Sequence, residues 1–313
     1  MFRSNSLSAT VRLTVVGRAK VEGRRNRAWA DRSRYVRRAM LVFPPAKINL
    51  GLHVLRQRTD GYRDIETVLL PIPLFDALEA VIDPVVPQGD LVFTRSGLDV
   101  PGDPFEDLCV KAHGLLRARF SLPGLRMHLH KAIPIGAGLG GGSSDGAQAL
   151  NLINRFLDPG AGQTDLRSMA AQLGSDCPFF LNSTAQLATG RGEVLTDVDH
   201  SLRGWWLMLI NPGIHVSTAE VYANTPISGA HEDLASLVSG AAPGDWNGRL
   251  LNVMEDYVFR TYPIVARTKD LIDEAGAVYS AMSGSGSSVF GLFREKPSLP
   301  MMPSGHRGWV LPL

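Results

Sequence analysis

The stretch Gly136-Ala137-Gly138-Leu139-Gly140-Gly141-Gly142-Ser143-Ser144 holds five glycines in seven residues and leads into a helical pattern. The preceding segment alternates: Leu125, Met127 and Leu129 fall on one face and Arg126, His128 and His130 on the other, which predicts a strand. A helix is expected from Ser143 or Ser144 to about Leu157. A glycine-rich turn between strand and helix exposes backbone N–H groups at the positive end of the helix dipole, a site suited to phosphate. Glycine is needed because a Cβ would hold the backbone away from the anion. Gly136, Gly138 and Gly141 also satisfy G-x-G-x-x-G, so a dinucleotide-binding oxidoreductase is an alternative. The strands before the loop look antiparallel, however, and no Gly-Lys-Ser/Thr of a Walker A motif occurs, which favours a nucleotide site of another design.

Working outward, Met40–Leu55 reads as a strand with Ile48, Leu50, Leu52 and Val54 on one face and Lys47, Asn49, Gly51 and His53 on the other. Lys47 and Asn49 thus lie side by side, a pair suited to an anion or a polar substrate. Asp60-Gly61 signals a hairpin turn, with a return strand near Tyr62–Ile72 ended by Pro71 and Pro73. Further strands are expected at Asp76–Ile82, Asp90–Phe93, Trp205–Ile210, Ala277–Met282 and Ser288–Phe293. Helices are expected at Asp107–Phe120, from a Thr164 cap to Gly174, in a short segment capped by Ser217 and Glu220, at Asp245–Arg260 and at Pro263–Ala275. Pro178 opens another helix, whose simplest use of Asp176 is as its N-cap. Ser283-Gly284-Ser285-Gly286-Ser287 is a second Gly/Ser loop, for which flexibility is the plain explanation. The mixed order predicts an α+β fold rather than a doubly wound sheet.

Composition bounds the function. The chain has 313 residues, 44% hydrophobic and 20% charged, which suits one large or two modest globular domains. No apolar run reaches membrane-spanning length, and two cysteines, Cys109 and Cys177, cannot build a disulfide framework or a Cys-based zinc site. The net charge of +2 is uneven: residues 1–39 carry 11 basic against two acidic residues, leaving the remainder at −7. This basic leader has no signal-peptide core and no aromatic interleaving for nucleic acid. It is expected to be disordered or untranslated ahead of Met40, with two domains following at 40–200 and 201–313. A cytoplasmic protein that binds neither nucleic acid nor membrane is expected.

Three motifs together resemble a family. Pro45-Ala46-Lys47-Ile48-Asn49-Leu50, the Gly136–Ser144 loop and the Ser283–Ser287 loop are similar, in order, to the three motifs of the GHMP small-molecule kinases. Asp60-Gly61-Tyr62, Gly174-Ser175-Asp176-Cys177-Pro178 and Asn211-Pro212-Gly213 followed by Ser217-Thr218 resemble a branch that phosphorylates the 2-hydroxyl of a cytidyl-diphosphate methylerythritol, in the non-mevalonate isoprenoid route. The resemblance spans about Phe43 to Phe293 and implies a two-domain fold with the ligand cleft between the domains. It also implies ATP and Mg²⁺. ATP would contact Lys131, Pro134 and the loop Gly136, Ala137, Gly138, Leu139, Gly140, Gly141, Gly142, Ser143 and Ser144, with Ser143 or Ser144 nearest the metal. Asp176 would take or orient the proton of the acceptor hydroxyl and Lys47 would hold that carboxylate. Asn49, Tyr62, Arg63 and Tyr222 would meet the substrate. Arg63 stands where the family usually has a His that hydrogen-bonds cytosine, and Arg cannot accept from the amino group of that base. Asp107 likewise stands where Asn is frequent. A kinase of homoserine or mevalonate type, or a non-catalytic sensor on the same fold, are the competing expectations.

Overall fold

The computed structural model describes residues 39–313 apart from Ser183 and Ala230; the expectations for the leader fall outside the described residues, save for Ala39. Three four-stranded sheets organise the described residues. The first contains β1 (Ala39–Val42), β4 (Ala77–Ile82), β6 (Leu125–Lys131) and β5 (Leu91–Gly97) in the order β1-β4-β6-β5. Only β5 and β6 run parallel, with α1 (Leu108–Arg117) as their crossover. The second sheet joins the long hairpin β2 (Pro45–Gln57) and β3 (Arg63–Phe75) to β7 (Gln186–Thr189) and β8 (Val194–Asp197). The third is antiparallel, with β10 (Tyr279–Met282), β11 (Val289–Phe293), β9 (Trp206–Asn211) and β12 (Arg307–Pro312) in the order β10-β11-β9-β12. The remaining helices are α2 (Gly141–Leu157), α3 (Gln163–Leu173), α4 (Thr218–Asn224), α5 (Leu234–Gly240), α6 (Glu255–Thr261) and α7 (Pro263–Glu274). The expected α+β class holds.

β2 is buried on both faces from Ala46 to Val54. Ile48 and Leu50 face a core shared with Leu207, Leu209, Trp246 and Phe290, so the second and third sheets pack together. A second core lies under the first sheet, where Leu116, Leu150, Ile153 and Met169 of α1, α2 and α3 cover Leu125, Met127 and Leu129. A third fills the far side of the last sheet, between Met208 and Ile210 and the α4, α6 and α7 residues Val221, Val258, Val265 and Ile272.

Several local expectations are corrected. Pro71 and Pro73 do not end β3, which continues to Phe75. β7 pairs only with Thr67–Leu69, so beyond Leu70 the strand has a neighbour on one side alone, where proline is tolerated. Residues 245–260 are not one helix. A turn at Pro243–Asp245 is followed by irregular chain to Met254, because Leu251 and Val253 exchange backbone hydrogen bonds with Leu52 of β2. This tertiary pairing outweighs the helical spacing. The α3 cap is Gly162 rather than Thr164, and α2 starts at Gly141, ahead of the two serines. Ser217 caps α4 as expected, but Glu220 turns to the Tyr257 and Tyr262 hydroxyls instead of closing a capping box.

One buried ion cluster ties the first sheet to the glycine loop. Lys131, at the end of β6, donates to Asp76 and to Asp145 of α2 (2.5 Å to Asp145 Oδ2), and all three are at most 3% exposed. The other oxygen of Asp76 accepts the N–H groups of Ala132 (2.6 Å) and Ile133 (2.9 Å). Burial pulls the Lys131 pKa down, but Asp145 and Asp76 outweigh it and hold the ammonium above its ordinary range. Burial pushes the Asp145 carboxyl well up. Removing one partner from such a cluster leaves unpaired buried groups, which costs about 3–5 kcal/mol. Asp76→Ala is therefore expected to lower the unfolding free energy by about that amount, measured by urea denaturation.

Candidate active site

Alternate residues of β3 pave the floor of a cleft of about 1230 Å³: Arg63, Ile65, Thr67 and Leu69. The adjoining face of β2 brings Lys47 and Asn49 to the same floor. The glycine loop, Thr218 and Tyr222 of α4, and Gly284 and Ser285 complete the lining. The cleft thus lies between residues from both halves of the chain.

Lys47 is the hub. It is 4% exposed, and its Nζ donates to Asn49 Oδ1 (2.6 Å) and to the Gly138 carbonyl (2.9 Å). Asp176 Oδ2 lies 3.9 Å from the same Nζ. Burial lowers the Lys47 pKa, and the Asp176 charge offsets this in part. Asn49 donates in turn to Thr67 Oγ1 (3.0 Å), which donates to the Gly51 carbonyl (2.5 Å), so the amide is fixed from behind. Thr67 carried no signal in the sequence beyond its place in a strand.

Asp176 is not a helix cap. It stands just before the short 3-10 helix Cys177–Leu181, but its side chain makes no capping hydrogen bond. Its carboxylate is half-exposed and faces the cleft beside Lys47. Cys177 is the inert neighbour its residue type suggests, fully buried with a thiol pushed up to about 12 by burial.

The glycine loop is shaped by contact as much as by any ligand. Gly138 has φ +77, and a Cβ on it would meet the Ser283 carbonyl oxygen at 1.9 Å. A Cβ on Gly140, at φ +69, would lie 2.8 Å from Phe180 and 3.1 Å from Lys47 Cγ. Gly136, Ala137, Gly138, Gly140, Gly141, Gly142 and Ser143 line the cleft, together with Lys131 and Pro134. Leu139 and Ser144 do not: Leu139 packs in the central core and offers its carbonyl to the Lys47 N–H, while the Ser144 hydroxyl is buried without a partner.

The Ser283–Ser287 loop is rigidly held. Ser283 Oγ donates to the Gly138 carbonyl (2.9 Å), the Ser288 N–H bonds to the Ala137 carbonyl, and Ser287 Oγ donates to the Ile214 carbonyl (2.7 Å). Asn211 reaches Ser287 and Ser288, which accounts for the Asn in Asn211-Pro212-Gly213. Asn252 Nδ2 donates to the Met282 and Gly284 carbonyls, both at 2.8 Å. Sequence reasoning missed Asn252, since it was assigned to a helix; two buried carbonyls 30 or more residues away explain it.

At the outer end of the cleft, Tyr62 is half-exposed and Tyr222 is partly buried, its phenol pKa raised by burial and by Asp176. Arg63 donates to the Thr225 carbonyl (2.5 Å) and approaches that of Ala223 (3.5 Å), at the end of α4. Its guanidinium therefore bridges hairpin and helix across the cleft. Asp107 caps α1 by accepting the Cys109 N–H (3.0 Å) and lies 3.5 Å from Arg95.

The GHMP kinases N terminal domain matches residues 107–184, and the GHMP kinases C terminal domain matches residues 233–299. The 4-diphosphocytidyl-2-C-methyl-D-erythritol kinase of Parabacteroides distasonis is 44% identical over 259 residues, 83% of this chain and 93% of that protein. The enzyme of the same name from Geobacillus kaustophilus is 37% identical, over 85% and 92% of the two chains. Among solved structures, a 4-(cytidine 5'-diphospho)-2C-methyl-D-erythritol kinase superposes with a TM-score of 0.67 at 32% identity, covering 81% of this chain and 90% of the other. A homoserine kinase from Cytophaga hutchinsonii, at 17% identity and TM-score 0.64, shares the fold. A strand-borne lysine, a glycine loop and a Gly/Ser loop meeting at one cleft, with these matches, define the class: the chain belongs to the GHMP kinases, which are ATP-dependent. The dinucleotide alternative for Gly136, Gly138 and Gly141 is set aside.

Gly138→Ala tests the contact between the two loops. The strained backbone alone costs about 1–3 kcal/mol, and the collision with Ser283 adds to it. The variant is expected to show a lowered Tm and at least ~10-fold weaker ATP binding, read by thermal unfolding and calorimetric titration.

Proposed function

We propose that this kinase transfers the γ-phosphoryl of ATP to the 2-hydroxyl of 4-diphosphocytidyl-2-C-methyl-D-erythritol, a step of non-mevalonate isoprenoid precursor synthesis. Relatives of that name at 37–44% identity support the substrate. The observation that carries the chemistry is the uncapped Asp176 carboxylate, 3.9 Å from Lys47 Nζ, between the glycine loop and the Tyr62–Tyr222 end of the cleft. Residues 40–200 and 201–313 are taken as the two domains on either side.

Phosphoryl transfer needs an in-line oxygen and neutralised charge, and the protein mainly positions the parts. The apolar slot of Val100, Leu108, Leu129 and Pro134, with Lys131 beside it, suits adenine. The backbone N–H groups of the glycine loop, at the N-terminus of α2, receive the phosphates. Asp176 accepts or orients the proton of the acceptor hydroxyl. Lys47 stands beside that carboxylate and faces the oxygen that attacks. Asn49 fixes the Lys47 ammonium, and Tyr62 and Tyr222 flank the cytosine.

Magnesium fits this site as a companion of the nucleotide. Among the described residues no three His, Cys, Asp or Glu side chains converge, which suits a metal held mainly by ATP oxygens. Ser143 lines the cleft and would supply the protein oxygen, whereas the buried Ser144 hydroxyl would not. The ion would neutralise developing charge on the transferred group.

A coupled ATPase assay with the cytidyl substrate and its uridine analogue tests the assignment; turnover with neither would leave only the family. Asp176→Asn is expected to retain ATP binding and lose at least ~10²-fold in turnover, the low end for a general base; near-normal turnover would remove Asp176 from that role. Burial lowers the Lys47 pKa from its ordinary 10.5, so its charge is lost earlier than that of an exposed lysine as pH rises. The kcat/KM profile should therefore fall on the alkaline side before pH 10.5. Lys47→Arg, which stays charged, should lack that limb whatever its absolute rate.

A further inference from the structure

Among the described residues four cations line the cleft: Lys47, Arg63, Lys131 and Arg191. The first three are engaged, Lys47 at Asn49 and Gly138, Arg63 at the α4 carbonyls, and Lys131 between Asp76 and Asp145. Arg191 is different. It sits at the tip of the β7–β8 turn, between Gly190 (φ +68) and Gly192 (φ +109), with about a third of its side chain exposed. Its guanidinium lies over the Tyr62 ring, 4.7 Å from the centroid. Glu193 Oε1 is 3.5 Å from its Nε, too long for a good hydrogen bond, and Glu193 Oε2 is taken by the Arg191 N–H of the turn itself (2.6 Å).

The turn is pinned at a defined point along the floor. The Ile65 N–H donates to the Gly190 carbonyl (2.7 Å), and a Cβ on Gly192 would lie 3.7 Å from both Ile65 Cδ1 and Asp176 Oδ1. Along β3 the floor residues run from Arg63 at the aromatic end, through Ile65, to Thr67 beside Asn49 and Lys47. At about 3.3 Å per residue, Arg63 and Thr67 are roughly 13 Å apart. If cytosine meets Tyr62 and the reacting hydroxyl meets Asp176, the linker between them passes over Ile65, directly under this turn.

We propose that Arg191 binds the diphosphate of the acceptor substrate; this rests on the function proposed above. The planar guanidinium matches phosphate oxygens in a bidentate fashion, which a lysine cannot reproduce. The guanidinium covers one face of Tyr62, which remains 54% exposed, so base and diphosphate sites would adjoin there. Arg191 thus measures the distance from base to hydroxyl, and an acceptor lacking the diphosphate loses this contact.

The test is steady-state kinetics of the full chain with ATP and the cytidyl-diphosphate methylerythritol. Arg191→Ala should raise the acceptor KM by about tenfold or more, with the KM for ATP and the Tm unchanged. Arg191→Lys should recover part of the loss, and raised salt should weaken acceptor binding less in Arg191→Ala than in the wild type. An acceptor KM within about twofold of wild type, an equal rise in both KM values, or a fall in kcat alone would each overturn the assignment. A wild-type chain inactive on this acceptor overturns the function proposed above as well, and so separates the two failures.

Discussion

The carbonyl oxygen of Gly138 accepts the Lys47 ammonium and the Ser283 hydroxyl at the same 2.9 Å distance, and the rest of the site depends on this one acceptor. It joins the first strand of the long hairpin, the glycine loop and the Gly/Ser loop, three segments separated by 91 and 145 residues. None of the three could hold its shape alone. The glycine loop has few side chains to pack, the Gly/Ser loop buries three serines that need partners, and Lys47 is a buried charge. Each supplies part of what the others lack: Gly138 accepts the Lys47 and Ser283 donors, and Ala137 accepts the Ser288 N–H.

That assembly prepares the electrostatics of transfer. A lysine buried without partners would lose its proton or its place. Here Asn49 and Gly138 hold the ammonium and Asp176 supplies the opposite charge. The same arrangement leaves Asp176 without a structural task, since neither helix capping nor a close ion pair uses up its oxygens. In the function proposed above, this half-exposed carboxylate beside a fixed cation is the group that receives the hydroxyl proton. The buried Lys131–Asp76–Asp145 cluster does parallel work at the other end, fixing where the glycine loop leaves β6 and where it enters α2.

Much of this was legible in the chain. The alternation of β2 placed Lys47 beside Asn49, and the density of glycine marked the loop before α2, because both features are local consequences of backbone geometry. The second loop was legible only as glycine and serine; its rigidity comes from Asn211, Asn252 and Ala137, residues remote in sequence. Asn252 and the 246–254 segment were misassigned because helical spacing there was overridden by pairing with Leu52. Arg63 was ambiguous for a different reason, and Arg191 carried no signal at all: a guanidinium binds carbonyl, carboxylate or phosphate alike.

By itself the sequence determined the fold class, the three motifs and the family, since each rests on short-range patterns of glycine, alternation and spacing. The tertiary structure alone decided which oxygen meets which cation. It turned Leu139 and Ser144 inward while Ser143 stayed in the cleft, freed Asp176 from the helix it precedes, and committed Arg63 to α4 while leaving Arg191 over Tyr62. The physical reason is that hydrogen-bond partners are chosen by proximity in space, and only the packed chain defines that proximity.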